Sequence, residues 1–263
     1  MTTPHTPSVP DRSLVDRTLA VLGVFDRDNR TLTLSDISRR SGLPIATVHR
    51  IVGRLHDWGA LERGAHGAYS IGLRLWETAV LAPRPELIEA ARPHLADLHE
   101  QTSAVAGIAI LDGKDSVLLL AVSGRWEGAG PAIPPGRRVP LHATSAGLVL
   151  LAHASPEVRE QICAGPLRAY TSDTLTDGMD LEHRLARIRQ DGHAVVLGTL
   201  SEDRAGVAAP VYGADGTVVA AVLVVTSAAD CRPALLLPRV LATADAVTRS
   251  IGVGERQFTE VGA

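Results

Sequence analysis

A glycine and a proline two residues apart, Gly42 and Pro44, constrain the first quarter of this chain more than any other feature. Glycine readily takes the left-handed conformation that ends a helix. Proline has no N–H, suits the opening turn of a helix and breaks a helix interior. A single helix therefore cannot run from residue 34 to residue 58, whereas two short helices around a tight turn can. Thr33-Leu34-Ser35-Asp36 opens the first with the Thr-x-x-Asp order of a capping box, with Thr33 as N-cap. Leu34 and Ile37 share one face of it. Pro44 opens the second, where Val48, Ile51, Val52 and Leu55 fall at i, i+3, i+4 and i+7 and form one stripe for burial. Its other face carries Thr47, His49, Arg50, Gly53 and Arg54, and Gly59 closes it.

The flanks complete a recognisable unit. Leu14, Thr18, Val21, Leu22 and Phe25 recur at helical spacing, so Ser13 to Asp26 reads as an amphipathic helix. Beyond Gly59, Leu61-Glu62-Arg63 and Ala68-Tyr69-Ser70-Ile71 flank the turn Gly64-Ala65-His66-Gly67 and read as a two-stranded hairpin. Two helices joined by a glycine turn and followed by such a hairpin make a winged helix-turn-helix. The second helix of that motif enters the major groove with its N-terminal residues at the base edges. Pro44, Ile45, Ala46, Thr47, His49 and Arg50 are thereby nominated to face DNA. Ile45 and Ala46 suit thymine methyls, and Thr47, His49 and Arg50 suit hydrogen bonds to bases or phosphates. Arg39, Arg40, Arg54 and Arg63 are candidates for phosphate contacts, and His66 for phosphate or minor groove.

Charge separates this head from the rest. The chain of 263 residues carries a formal net charge of −3. From Arg12 to Arg74, ten arginines face six carboxylates, a surplus of four positive charges. The remainder carries a surplus of seven negative charges. A basic head on an acidic body suits a DNA-binding module attached to a domain of another kind. The bland reading is a small helical cap whose arginines form a solvated face, or a head that mediates protein contacts on a ligand-sensing scaffold. The two cysteines, Cys163 and Cys231, exclude a disulfide framework and give no four-ligand zinc pattern. Met1 to Pro10 lacks the apolar stretch of a signal peptide, and no apolar run is long enough to span a membrane, so a cytoplasmic location is expected.

Pro83-Arg84-Pro85 interrupts helical continuity and marks a domain boundary. Beyond it, Leu87, Ile88, Ala91, Leu95 and Leu98 have helical spacing, with Pro93 as a kink. Val105 to Leu111 and Ser116 to Val122 read as a hairpin, Arg138 to Leu141 as a short strand, and Gly206 to Tyr212 with Thr217 to Thr226 as a second hairpin. Helices are expected from Thr144 or Ser145 through Ala152, over Pro156 to Ile162, over Leu181 to Gln190 and over Leu235 to Ile251. A largely antiparallel sheet with flanking helices is an α+β body, a container suited to a small molecule. Motifs for nucleophile elbows, phosphate loops, dinucleotides and zinc proteases are absent. Ser145 lies near His142 in sequence, yet a helix N-cap is the expected role for that serine. No catalytic residue, metal ligand or cofactor is therefore assigned. An enzyme with a DNA-binding appendage is the weakest of the readings.

Several segments together resemble IclR-type transcriptional regulators. Leu34-Ser35-Asp36-Ile37, Ser41-Gly42-Leu43-Pro44 and Ala46-Thr47-Val48-His49-Arg50-Ile51-Val52 are similar to that family's helix-turn-helix. Gly67-Ala68-Tyr69-Ser70-Ile71-Gly72-Leu73-Arg74-Leu75 is similar to its wing and the start of its linker helix. Pro140-Leu141-His142-Ala143-Thr144-Ser145-Ala146-Gly147 and Gly206-Val207-Ala208-Ala209-Pro210-Val211 are similar to its two effector-domain signatures. The resemblance implies a winged helix-turn-helix over residues 12–74, a linker helix and hinge over 75–85, and a GAF-like α+β effector domain over 86–252. It also implies a ligand-responsive bacterial regulator, a repressor or activator read here as a repressor. Its partners would be a palindromic double-stranded DNA operator, a small-molecule effector and further copies of the chain, as a homodimer or dimer of dimers, with no membrane. On the same basis His142, Ala143, Thr144, Ser145, Leu148, Thr199, Leu223 and Val225 are the expected effector-binding positions, and Trp126 is added to them from its place in a glycine-rich loop.

The chain departs from the family at several of these. Leu148 stands where a lysine is frequent, Thr199 where an acid is frequent, and Leu223 and Val225 where serine or cysteine is frequent. A carboxylate without donors is costly to bury. The effector is therefore expected to be apolar, aromatic or lactone-like rather than a small organic acid, and Trp126, in the loop Gly124 to Gly130, either stacks on it or serves as a lid or interface residue. Arg125, Arg137 and Arg138 remain candidates for rescuing acid binding.

Overall fold

The computed structural model describes residues 13–26, 28–79, 81, 84–123 and 134–260. The chain divides into two compact units between residues 83 and 84.

In the first unit, α1 (Leu14–Leu22), α2 (Leu34–Ser41) and α3 (Ile45–Trp58) precede a hairpin of β1 (Leu61–Arg63) and β2 (Tyr69–Ile71), followed by α4 (Leu73–Ala79). Local chemistry sets each boundary. Ser13 caps α1 and Thr33 caps α2, each in a reciprocal box with an aspartate at the third helical position, Asp16 and Asp36. The Asp36 carboxyl is held below its ordinary value, first by the Thr33 hydroxyl and then by Arg39. Gly42 ends α2 and Gly59 ends α3, both in the left-handed region. α1 stops at Leu22 with Gly23 as its C-cap, short of the expected Asp26. Pro44 is the N-cap of α3, in extended backbone, rather than its first helical residue. Val21, Ile37, Val48, Val52 and Leu61 are sealed in the core between the helices and the hairpin. Leu32 bridges to Tyr69 and adds a third chain segment beside the wing. Gly72 follows β2 so closely against Gly59 that a Cβ there would meet the Gly59 carbonyl oxygen at 2.3 Å.

The second unit is a six-stranded antiparallel sheet with helices on both faces. Its strands are β3 (Val105–Asp112), β4 (Asp115–Val122), β5 (Arg138–Pro140), β6 (Ala194–Leu197), β7 (Arg204–Tyr212) and β8 (Val218–Ser227), in the spatial order β5-β4-β3-β8-β7-β6. Strand alternation sorts the side chains. Ala106, Ile108 and Ile110 of β3, Val207 and Ala209 of β7 and Val222 and Val224 of β8 pack with α5 (Arg84–Thr102) and α9 (Pro233–Glu260). Ala109, Ala208, Ala221 and Leu223 face the other way, toward α6 (Ser145–Ala152) and α8 (Gly178–Asp191). α7 (Pro156–Cys163) packs beside them. The β3–β4 register shifts between Ile108 and Ala109. That bulge puts both Leu118 and Ala121 on the α6 side, although they are three residues apart. α5 continues through Pro93, and β6, for which the sequence offers no alternation, is an edge strand paired only with β7.

Every residue of α6 is buried, which fits its unbroken run of small and apolar side chains. The cap of α6 is Thr144, whose hydroxyl accepts from the Gly147 N–H at 3.1 Å, so Ser145 is the first helical residue and not the cap. Gly147 itself has no room for a side chain. A Cβ there would lie 2.4 Å from the Leu141 carbonyl oxygen and 2.5 Å from Thr144 Oγ1. Gly147→Ala is expected to destabilise this unit by about 1–3 kcal/mol through overpacking. Urea unfolding of the purified variant checks this, with an unchanged midpoint contradicting the close approach.

Candidate functional site

Two regions bring the nominated residues together. The first is the N-terminal half of α3. α1 and α2 neutralise their N-termini with aspartates, whereas α3 has no side-chain cap and no acid in its first turn. The N–H groups of Thr47 and Val48 return to the Pro44 carbonyl, leaving those of Ile45 and Ala46 pointing outward without an intrahelical acceptor. An uncapped, acid-free helix N-terminus is a ready anion site. Pro44, Ile45, Ala46, His49, Arg50 and Arg54 are exposed and Thr47 is half-buried, opposite the buried stripe of Val48, Ile51 and Val52. Arg50 and Arg54 form no ion pair among the described residues. Their guanidinium groups are therefore available to an incoming polyanion.

The other basic residues are partly committed. Arg39 pairs with Asp36 at 2.6 Å, and Arg40 donates to the Asn29 side-chain oxygen, both exposed at the end of α2. Arg63 lies over the Tyr69 ring, 5.9 Å from its centroid, which aims it along the wing. His66 occupies the wing tip, exposed and in the left-handed region with φ 59°.

The second region is a cavity in the second unit, between the sheet and the N-terminus of α6, enclosing about 110 Å³. Its floor is made of strand residues with little or no side chain, Gly107, Ala109, Ala121 and Gly206, with Leu118, Leu223 and Val225 beside them. Ala143, Thr144, Ser145 and Ala146 form one wall, Thr199, Leu200 and Ser201 another, and Ser116, Arg137 and Arg204 complete it. Gly206 lies directly under Ser145, where a Cβ would come within 2.6 Å of Ser145 Oγ.

Most hydroxyls in this lining are already spoken for. Thr144 Oγ1 donates to the Pro140 carbonyl and Thr199 Oγ1 to the Ala143 carbonyl at 2.8 Å. Ser201 donates to Asp203. Thr171 and Thr174 donate to the carbonyls of Gly198 and Thr199 at 2.7 and 2.6 Å, and so fasten the 198–201 segment that forms the wall. Ser116 differs. It is fully buried, and its Oγ has no hydrogen-bond partner.

Of the expected effector positions, Ala143, Thr144, Ser145, Thr199, Leu223 and Val225 converge on this cavity. His142 and Leu148 lie outside its lining. His142 Nε2 pairs with the Arg168 carbonyl at 3.0 Å, and Leu148 is buried in the core between α6 and the sheet. Trp126 and Arg125 fall outside the described residues. Arg138 is drawn away to Asp112 and Asp115 on the β3–β4 turn, whereas Arg137 lines the cavity. Ser116 and Arg204 were not singled out from sequence. The available signal was a polar residue at an inward position of a strand that is otherwise apolar from Ser116 to Val122.

Cysteine chemistry finds no support here. Burial first, and then Glu182, pushes the Cys163 thiol up to about 11. Burial also raises Cys231. Among the described residues no cluster of His, Cys, Asp or Glu has metal-binding geometry, and no helix is long and apolar enough to cross a membrane.

Comparison with known proteins places both units of the chain in one family. Residues 14–65 match the IclR helix-turn-helix domain, and residues 80–251 match the Bacterial transcriptional regulator IclR C-terminal family. The chain is 32% identical over 213 residues to the HTH-type transcriptional regulator BhcR of Paracoccus denitrificans, covering 80% of this chain and 76% of that one. It is 27% identical over 193 residues to the Transcriptional repressor IclR of Escherichia coli, covering 72% and 70%. Among solved structures, an IclR homolog from Microbacterium hydrocarbonoxydans complexed with 4-hydroxybenzoate superposes with a TM-score of 0.85 at 31% identity, covering 91% of this chain and 99% of that one. A thiol shifted as far as Cys163 holds about a hundredfold less thiolate than an unperturbed cysteine at the same pH. Iodoacetamide labelling at pH 8 is accordingly expected to be slow at Cys163 and to accelerate only toward pH 11. Fast labelling at pH 8 would contradict that burial.

Proposed function

This chain belongs to the IclR family of transcriptional regulators, with a helix-turn-helix DNA-binding region and a C-terminal effector-binding region, and from that premise we propose how its own residues do the work. Thr47, His49 and Arg50 read bases in the major groove, with Pro44, Ile45 and Ala46 at the same surface. Arg39, Arg40, Arg54, Arg63 and His66 hold phosphates or minor groove. The observation that carries this reading is the pairing of an uncapped, acid-free α3 N-terminus with exposed Arg50 and Arg54. Residues 12–74 form the DNA-binding head, 75–85 the linker and 86–252 the effector domain.

The protein acts as a homodimer or dimer of dimers on a palindromic operator, in the cytoplasm. Exposed Leu14, Val15 and Leu19 on α1, and Leu73 and Trp76 on α4, support self-association, because large apolar side chains grouped on a surface favour a partner. Trp76 is 65% exposed. Repression is the favoured outcome, in keeping with the name of the Escherichia coli relative. The protein works by binding rather than catalysis, a reading supported by the engagement of His142 with a backbone carbonyl away from Ser145.

The cavity binds a small aromatic or lactone-like effector. Its walls are mainly apolar. The 4-hydroxybenzoate bound by the Microbacterium relative supports a single ring, and Arg137 and Arg204 supply charge for an acidic substituent. A ligand that prefers one arrangement of the protein changes DNA affinity by the ratio of its affinities for the two states.

Arg50→Ala is expected to weaken specific DNA binding by about 1–3 kcal/mol, with the loss concentrated on one base position. Arg54→Ala is expected to weaken binding to all sequences alike and to reduce the salt slope by about one. Equilibrium binding to the DNA upstream of the chain's own gene, repeated with benzoate and 4-hydroxybenzoate present, measures both variants and the ligand response. Wild-type affinity in the Arg50 variant would remove that residue from the reading set.

A further inference from the structure

Ser116 has a property shared by no other side chain among the described residues. Its Oγ is sealed from solvent and has no hydrogen-bond partner, yet the residue lines the cavity. A buried hydroxyl without a partner forfeits hydration and gains nothing in return. Such orphans are rare in native proteins and require a reason. The strand gives none for structure alone. Leu118 and Ala121, which share the cavity side of β4, are apolar, and alanine at position 116 would leave no stranded oxygen.

We propose that Ser116 is the specificity contact for a neutral oxygen, a hydroxyl or carbonyl, carried on the inner end of the ring ligand. The proposal rests on the ring-binding reading of the cavity given above. Neutral oxygen is favoured over a carboxylate at this point by burial. Ser116 is fully enclosed, and a lone hydroxyl offers one donor, too little to compensate a desolvated charge. Arg137, by contrast, is an exposed residue of the same lining, so an anionic substituent finds its partner where water can still reach it. The two ends of the ligand are thereby sorted: oxygen without charge at Ser116, charge at the arginine. The hydroxyls of Thr144, Thr199 and Ser201 are engaged with protein partners, and of the lining hydroxyls Ser116 is the one that is both sealed and without a partner.

The experiment uses the full chain, wild type and Ser116→Ala, with 4-hydroxybenzoate and 4-methylbenzoate as probes in calorimetry. The two probes differ by a hydroxyl against a methyl of similar size. Wild type is expected to prefer the hydroxyl compound by about tenfold, the worth of one buried hydrogen bond. Ser116→Ala is expected to bind both within about twofold and, without ligand, to melt at the same temperature as wild type or higher, since an orphan hydroxyl has been removed. A preference that survives in Ser116→Ala overturns the contact, and so does a clear fall in the melting temperature of the ligand-free variant. Equal binding of both probes by wild type overturns the contact and leaves the ring-binding reading standing. Binding of neither probe overturns the ring-binding reading, and the contact falls with it.

Discussion

Room between the central sheet and α6 is the constraint on which the ligand-binding half of this molecule depends. That room is made by subtraction. Gly107, Ala109, Ala121 and Gly206 present a hydrogen or a methyl where the opposite face of the same strands presents isoleucine and valine. Protein interiors close on themselves at crystal-like density unless something prevents it. Here the surrounding contacts are fixed by hard limits: Gly147 against the Leu141 carbonyl, Gly206 under Ser145, and the Thr171 and Thr174 hydroxyls tied to the 198–201 segment. The helix cannot settle closer and the wall cannot fall inward, so a cavity persists beside a packed core.

The same economy governs the head. α1 and α2 spend an aspartate each on their own N-termini, and α3 does not. The difference leaves a partial positive charge and two outward N–H groups at the one helix whose exposed face carries His49, Arg50 and Arg54. Base-reading by side chains and anchoring by a helix end are thus offered from one element, while Arg39 and Arg40 at the end of α2 and Arg63 on the wing extend the basic surface to either side.

Much of this was legible in the sequence where the signal is local. Gly42, Gly59 and Thr33 act through their own backbone or three residues along it, and their roles follow from residue type and spacing. The stripe of Val48, Ile51 and Val52 is periodic and therefore readable. What escaped is non-local or not periodic. β6 is short and has no alternation, and its existence depends on the β7 edge that receives it. The choice of Thr144 over Ser145 as cap turns on which hydroxyl faces the Gly147 N–H, which neighbouring polar residues do not reveal. His142 and Leu148 lie close to the run Ala143 to Ala146 that lines the cavity, yet one turns to the Arg168 carbonyl and the other into the core. Ser116 reads as the first residue of a strand, and its place in the cavity, on the same side as Leu118, is marked in the sequence only by its polarity in an otherwise apolar run.

The central claim is that the head binds operator DNA through phosphate-facing arginines and base-facing residues of α3. The most direct test is the salt dependence of wild-type binding to the DNA upstream of the chain's own gene, measured beside unrelated DNA of equal length. Several phosphate contacts require a linear fall of log affinity with log salt concentration, with a slope of about −0.9 for each phosphate neutralised. The account predicts such a fall on both DNAs and a persistent preference for the upstream sequence. Affinity that is indifferent to salt, or equal on the two DNAs at every salt concentration, would contradict it.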